Sequence, residues 1–308
     1  MQKEQYVICV GSGGVDNYFT LPHWPKLGVQ IVARPIGKYV GGLVSNACNV
    51  LAGYGAHTYL MGMVDTTPDG QFVLDTLKAG GVDMAYYRQD KNYTACVCNI
   101  YLVDGERTIF VGIPEEHERF SFTPEQIEGL CGAAYIYTTL DQIEGIENGY
   151  EVITKAKACG ATVCVDMESY QPDEIHQKYL PLCDIIFVND HDFEVLSGGK
   201  DELIYCKTLL ENGAKLVVIT KGSKGGSVYS KDMLFDYPAF PVKAIDTTGA
   251  GDTFNASFVY GLLQGMCLKK AAVFAAAAAA RAVTQLGPQG GVTDVATVQD
   301  FMQSYGQQ

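Results

Sequence analysis

Five short runs of apolar and β-branched residues constrain this chain most: Tyr6 to Val10, Ala134 to Thr138, Thr162 to Val165, Ile185 to Val188 and Leu216 to Thr220. None alternates cleanly between apolar and polar residues, which is the pattern of strands covered on both faces. Helical patterns lie between them. One begins at Thr123-Pro-Glu-Gln126, where a capping hydroxyl, a first-turn proline and a glutamine three residues on mark a helix start. Strand, helix, strand repeats of this kind predict an α/β fold with a mostly parallel sheet and helices on both faces.

Two segments break the rhythm. Residues 12–40 carry Pro22, Pro25, Pro35 and Trp24, and residues 93–112 read as a hairpin turning around Asp104-Gly105. Together, segments of about 12–40 and 88–114 predict a small antiparallel sheet beside the main one, placed as a lid. No linker rich in Ser, Pro or Gly and no internal repeat divides the chain, so residues 1–308 are read as a single domain. The alanine-rich stretch Ala271 to Ala282 predicts a helix.

Composition narrows the function. Apolar residues make up 47% and charged residues 19%, which excludes a disordered chain and a coiled coil. With 22 Lys and Arg against 35 Asp and Glu, the net charge of −13 offers no broad field for nucleic acid or an anionic membrane. The first apolar run is too short for a secretion signal and no long apolar span follows, so a cytoplasmic location is expected. The ten cysteines are scattered through apolar runs and are read as reduced thiols; Cys96-Val-Cys98 lacks a second ligand pair at zinc spacing.

The stretch richest in chemistry is Asp246-Thr-Thr-Gly-Ala-Gly-Asp252, which runs into Phe254, Phe258, Val259, Leu262 and Leu263 at helical spacing, with Gly265 as a stop. A loop without bulky side chains thus opens a helix, and its amides with the helix N-terminus can converge on an anion such as a phosphoryl group. Asp252 falls in the first turn, where a carboxylate can take the proton of an attacking hydroxyl. An aspartate there also caps a helix, and both readings stand at this point.

This motif resembles the C-terminal signature of the ribokinase-like family, also called the phosphofructokinase B carbohydrate kinases, with Ser257 where Gly or Ala is usual. The N-terminal signature is similar to Val40-Gly-Gly-Leu-Val-Ser-Asn46 through Gly55, Gly62-Met-Val-Asp65 and Asp69-Gly70, so the resemblance spans essentially the whole chain. It implies a ribokinase-like fold and an ATP- and Mg²⁺-dependent kinase acting on a sugar hydroxyl. By position, Asp252 resembles the catalytic base and Gly249, Ala250 and Gly251 the anion hole. Asp16, Gly41, Gly42 and Asn46 resemble sugar contacts, and Arg107 is expected to reach the substrate from the accessory sheet. Thr220, Gly222 and Gly225 resemble an ATP segment. Asn189 and Asp192 fall where the family shows Asn-x-x-Glu, the shorter Asp192 being expected to act on Mg²⁺ through water. Asp246, the carbonyl of Thr248 and the 283–291 loop resemble a monovalent-cation site, which adds K⁺ as a candidate cofactor. Relatives that take sugar phosphates tend to carry Lys after the paired glycines; Leu43 stands here and favours an unphosphorylated acceptor.

Other classes fit less well. Gly11-Ser-Gly13-Gly14-Val-Asp16 imitates a dinucleotide fingerprint, but its sixth position is Asp16, and residues 17–64 hold no Asp or Glu for a ribose. No P-loop occurs, and the five histidines show neither metal spacing nor a serine elbow. The expectation is therefore a carbohydrate kinase. A nucleoside kinase of the same fold, with Tyr18, Phe19 and Trp24 stacking on a base, is the first alternative, and a non-catalytic sugar or nucleotide sensor the second. A homodimer through the lid is a further expectation, because a second subunit would cover an apolar sheet face.

Overall fold

The computed structural model describes residues 5–103, 106–112, 120–168 and 170–306. Its strands are β1 (Val7–Val10), β2 (Gly14–Thr20), β3 (Arg34–Gly41), β4 (Thr58–Val64), β5 (Tyr87–Gln89), β6 (Val97–Val103), β7 (Glu106–Gly112), β8 (Tyr135–Thr139), β9 (Thr162–Asp166), β10 (Ile185–Asn189), β11 (Leu216–Thr220), β12 (Gly226–Ser230) and β13 (Leu234–Tyr237). The helices are α1 (Leu43–Gly53), α2 (Pro68–Ala79), α3 (Pro124–Gly132), α4 (Leu140–Glu144), α5 (Gly149–Ala158), α6 (Glu174–Tyr179), α7 (Asp190–Ser197), α8 (Glu202–Glu211), α9 (Ala250–Leu263), α10 (Leu268–Ala282) and α11 (Val295–Ser304).

All five apolar runs form neighbouring strands of a nine-stranded sheet ordered β13-β12-β11-β10-β9-β8-β1-β4-β5. Every pair is parallel from β11 to β5, and β12 and β13 add an antiparallel edge. The missing alternation has a direct cause. Val7 and Cys9 join one core while Ile8 and Val10 join the other; likewise Ile185 and Phe187 face one side, Ile186 and Val188 the opposite. Successive side chains point to opposite faces, and both faces are covered. The predicted start of α3 is a full capping box, with Thr123 and Gln126 each bonding the other's backbone. The alanine run forms most of α10, whose small side chains let it lie close on α9: a Cβ added to Gly261 would come within 2.8 Å of Ala271 Cβ.

The second sheet has the order β3-β2-β6-β7. Its β2–β3 and β6–β7 pairs are antiparallel, while β2 and β6 run parallel. The β6–β7 ladder ends at Val103 opposite Glu106; Asp104 and Gly105, where the turn was expected, lie outside the described residues, as do residues 113–114 at the expected end of the lid segment. No helix among the described residues is long and apolar enough to cross a membrane, and all ten cysteines are free thiols.

Topology places the site. The order of the chain reverses at β1, with β4 on one side and β8 on the other, and a crevice opens at such a point beyond the carboxyl ends of the strands. Asp65, Asp166, Asn189 and Thr220 all stand at that edge. The chain enters the small sheet from β1 through Gly11–Gly14 into β2, and leaves it from β3 through Gly41 and Gly42 into α1.

Candidate active site

Gly249 precedes α9 in the left-handed region, at φ 75°. A Cβ on it would lie 2.1 Å from the Pro288 carbonyl oxygen, so both the turn and its packing require glycine. The Gly249 carbonyl accepts the Thr253 amide (2.9 Å) and hydroxyl (2.7 Å). Asp246 clamps the loop from the other end: it accepts the Thr248 amide (2.9 Å) and hydroxyl (2.7 Å) and the Gly287 amide (2.9 Å). The amides of Gly251 and Asp252 stand in the first turn, where no carbonyl of the helix reaches them. Beyond its chain neighbours and its own helix backbone, nothing lies within 4 Å of the point a Gly251 Cβ would occupy, so this side of the first turn faces open space.

Asp252 stands beside that opening, 4% exposed. Its Oδ2 accepts a 2.8 Å hydrogen bond from Asn46 Nδ2 on α1, whereas Asn46 Oδ1, also buried, has no partner. Burial drives the Asp252 carboxyl well above the usual range; the Asn46 bond opposes this, and the charges of Asp166, Glu168 and Asp16 add to it. Asp16 is pushed up to about 6 by burial, with the Cys98 thiol opposing and Asp246 adding. Gly41 pairs opposite Gly14, and a Cβ there would lie 2.3 Å from the Asp16 carboxylate. Gly42 turns the chain into α1 at φ 103°, with the Ser12 carbonyl 3.0 Å from its would-be Cβ. Asp16, Gly41, Gly42, Asn46 and Asp252 therefore converge.

The sequence reading overlooked Asp166 and Glu168. Asp166 closes β9, its Oδ2 accepting Asn255 Nδ2 at 2.7 Å and Tyr137 OH at 3.4 Å, its Oδ1 the Glu168 amide at 2.9 Å. Burial pushes it up to about 6. Glu168 is exposed by area, yet partial desolvation and the charges of Asp166 and Asp192 push its carboxyl up to about 7, with Arg107 opposing. The available signals were a carboxylate ending an otherwise apolar strand and an asparagine three residues after Asp252, on the same face of its helix.

Farther along the same sheet edge Asn189 pairs in register with Thr220. Asn189 caps α7 through the Asp192 amide (2.8 Å) and donates from Nδ2 to Asp192 Oδ2 (2.6 Å). Gly222 and Gly225 adopt φ of 55° and 85° in the turn beyond. Thr220 and this turn share the sheet edge with Asp252 but make no described hydrogen bond to it. Arg107, expected to reach the site from the small sheet, extends from β7 to the loop ahead of the glycines: its Nη1 donates to Thr247 Oγ1 and lies 3.7 Å from Asp246 Oδ1.

Asp141, Glu144 and His176 also cluster, with His176 Nε2 3.2 Å from Asp141 and 3.6 Å from Glu144. His176 Nδ1 accepts the Gln171 amide at 2.9 Å, so Nε2 carries the proton and faces the carboxylates as a donor rather than as a metal ligand.

The site thus crowds carboxylates that oxygen-seeking cations neutralise. One consequence concerns stability. Asp166 is raised from 3.8 to about 6, so the folded state holds its proton more tightly, and stability present at low pH is lost as pH rises through about 6. Urea unfolding of Asp166→Asn and wild type, without metal, checks this: between pH 5 and 7.5 the difference should move in the variant's favour by roughly 1.5 kcal/mol. A difference independent of pH would contradict it.

Comparison with known proteins fits this geometry. Residues 5–294 match the pfkB family of carbohydrate kinases. The chain is 29% identical over 309 residues to a ribokinase of Bacillus subtilis, covering 96% of this chain and 99% of the relative. It is 25% identical to a nucleoside kinase of Methanothermobacter thermautotrophicus, covering 96% and 94%. The fold is that of the Arabidopsis thaliana ribokinase solved with ribose and ATP, with a TM-score of 0.84 at 23% identity over 97% of this chain and 98% of that one. Glycine loop, buried carboxylate and whole-chain match agree, and the chain belongs to the pfkB family of carbohydrate kinases.

Proposed function

We propose that this protein transfers the γ-phosphoryl group of ATP to a hydroxyl of an unphosphorylated sugar or sugar-like acceptor, with Mg²⁺, and that Asp252 is the general base. The observation that carries this reading is the Asn46–Asp252 pair beside the open glycine turn: one buried carboxylate, one buried amide oxygen without a partner, and free helix-end amides meet in one place.

The residues present fit a magnesium nucleotide. Gly251 fronts open space, the Gly251 and Asp252 amides are donors for phosphoryl oxygens, and Asp166, Glu168 and Asp192 are hard oxygen donors suited to Mg²⁺ and its waters. Bound there, the nucleotide supplies the phosphoryl group and the metal supplies positive charge among the carboxylates. Asn46 orients Asp252 and offers its free Oδ1 to an acceptor hydroxyl. Asp16, held against Gly41, takes hydrogen bonds from neighbouring hydroxyls. Asp252 takes the proton of the attacking hydroxyl, and the glycine-loop amides stabilise charge on the transferring group. Asp246 and Thr248, with the 283–291 loop, form an oxygen-rich turn that belongs to the proposal as a K⁺ site.

We read the whole chain as one domain, with the small sheet closing over the acceptor and Arg107 already resting on Thr247. Its outer face exposes Trp24 (47%) and Phe110 (51%), the surface a second subunit would cover; a monomeric mass by sedimentation removes that part.

The nucleoside alternative is less well supported, because its aromatics are engaged elsewhere. Phe19 stacks on Tyr101 at 5.3 Å, Trp24 on Phe110 at 6.2 Å, and Tyr18 meets Tyr39 edge-on. ADP release across pentoses, hexoses, nucleosides and their phosphates tests the proposal. Free sugars should give the highest kcat/KM and require Mg²⁺. A preference for nucleosides or for sugar phosphates would overturn the acceptor assignment.

A further inference from the structure

Two thiols stand beside the acceptor carboxylate, and nothing above uses them as reactive groups. Cys96 and Cys98 flank Val97 at the start of β6, their sulfurs 3.9 Å apart. Alternate residues of an extended chain share a face about 6.6 Å apart between Cα atoms, and a disulfide draws its Cβ atoms to about 4 Å, so closing this pair bends the backbone at Cys96, just ahead of β6. In the parallel β2–β6 pair, Cys98 lies directly beside Asp16. Asp16 is therefore confined between Cys98 and the bare backbone of Gly41, and any movement of the Cys98 sulfur is felt by its carboxylate. Both thiols are only partly buried, unlike Cys9, Cys48, Cys164, Cys183 and Cys206.

We infer that Cys96 and Cys98 form a modification site at which low-molecular-weight disulfides generate a Cys96–Cys98 bridge and thereby weaken acceptor binding at Asp16. Its effect on the acceptor rests on the kinase reading above. In the first step the Cys96 thiolate attacks one sulfur of the small disulfide, forming a mixed disulfide and expelling one small thiolate. Cys98 then loses its proton to solvent and attacks the Cys96 sulfur, expelling the second thiolate. Two protein thiols are oxidised, one external disulfide is reduced to two thiols, and no other reactant is needed. The order of attack follows from the hydrogen bond between the pair, which lowers the Cys96 thiol and raises that of Cys98. Once bridged, the Cys98 sulfur has no proton to offer Asp16 and is drawn towards Cys96.

The test incubates the whole protein with glutathione disulfide, follows the mass of the peptide holding both cysteines, and measures KM for sugar and for ATP. The peptide should lose two hydrogens, the sugar KM should rise about tenfold or more while the ATP KM stays within about twofold, and dithiothreitol should reverse both changes. Cys96→Ser should keep its sugar KM in reducing buffer and show neither change, and Cys98→Ser should likewise form no bridge. A wild-type peptide that keeps its mass, or retains glutathione without closing, overturns the site. A closed bridge with an unaltered sugar KM overturns the link to Asp16. Equal inhibition of Cys96→Ser assigns the effect to other thiols, such as exposed Cys159 or Cys267, and also overturns it. If no acceptor is phosphorylated, the kinase reading fails on that result, while the peptide mass still decides the thiol chemistry.

Discussion

Asp252→Asn is expected to lower kcat by about two to four orders of magnitude while leaving the fold and nucleotide binding in place. The substitution is isosteric, and the oxygen of the new amide can still accept from Asn46 Nδ2, the contact that spans 2.8 Å in the native site. What disappears is the ability to take a proton from the acceptor. Removing a buried charge close to Asp16, Asp166 and Glu168 also relieves repulsion, so the melting temperature should hold or rise. A large loss of kcat with a stable fold is the signature of a general base. A loss accompanied by unfolding would instead mark Asp252 as a structural cap, and turnover within a few-fold of wild type would remove it from the chemistry. Steady-state kinetics and calorimetry on the same sample separate these results.

The second large effect contrasts two glycines of one loop. Gly249→Ala places a methyl 2.1 Å from the Pro288 carbonyl oxygen in a left-handed residue at φ 75°, and the atoms it meets are all Pro288 backbone rather than a flexible side chain. The loop must leave the 287–288 segment that Asp246 ties to it, at a cost of about 3 kcal/mol in stability together with a loss of roughly a hundredfold or more in kcat/KM. Gly251→Ala meets nothing within 4 Å and sits inside α9, where alanine is the better helix former by about 1 kcal/mol. Stability should hold or improve, yet the methyl enters the space in front of the helix-end amides and activity should fall by a comparable factor. Equal stability loss in both variants would mean that the loop only packs. Full activity in Gly251→Ala would mean that no phosphoryl group approaches there. Urea unfolding and kcat/KM on the two variants check both halves.

How much of this could be read from residues alone follows from what each signal encodes. Burial on both faces is written into runs such as Val7–Val10 and Ile185–Asn189, so the parallel sheet and its order of elements were legible. The glycine loop was legible because its composition is unusual at a helix start. Partner choice was not: β2 and β6 run parallel though about eighty residues separate them, and side-chain alternation carries no record of which strand lies alongside. Arg107 is a related case, since its turn marks a hairpin but not the loop on Thr247 that the guanidinium reaches. Asp166 and Glu168 escaped notice because a carboxylate after a strand reads the same whether it begins a turn or faces a site. Only the sheet brings Asp166 within 2.7 Å of Asn255.

The central claim is that the helix-end amides at Gly251 and Asp252 receive the transferred group while the Asp252 carboxylate faces the incoming hydroxyl. A crystal structure of Asp252→Asn with ATP, Mg²⁺ and the preferred sugar tests it most directly, because the variant should bind both substrates without turning them over. The account predicts the γ-phosphate within hydrogen-bonding distance of those two amides and one sugar hydroxyl against the residue 252 side chain and Asn46 Oδ1. A γ-phosphate bound away from the glycine turn, or a sugar whose hydroxyls never meet residue 252, would contradict it.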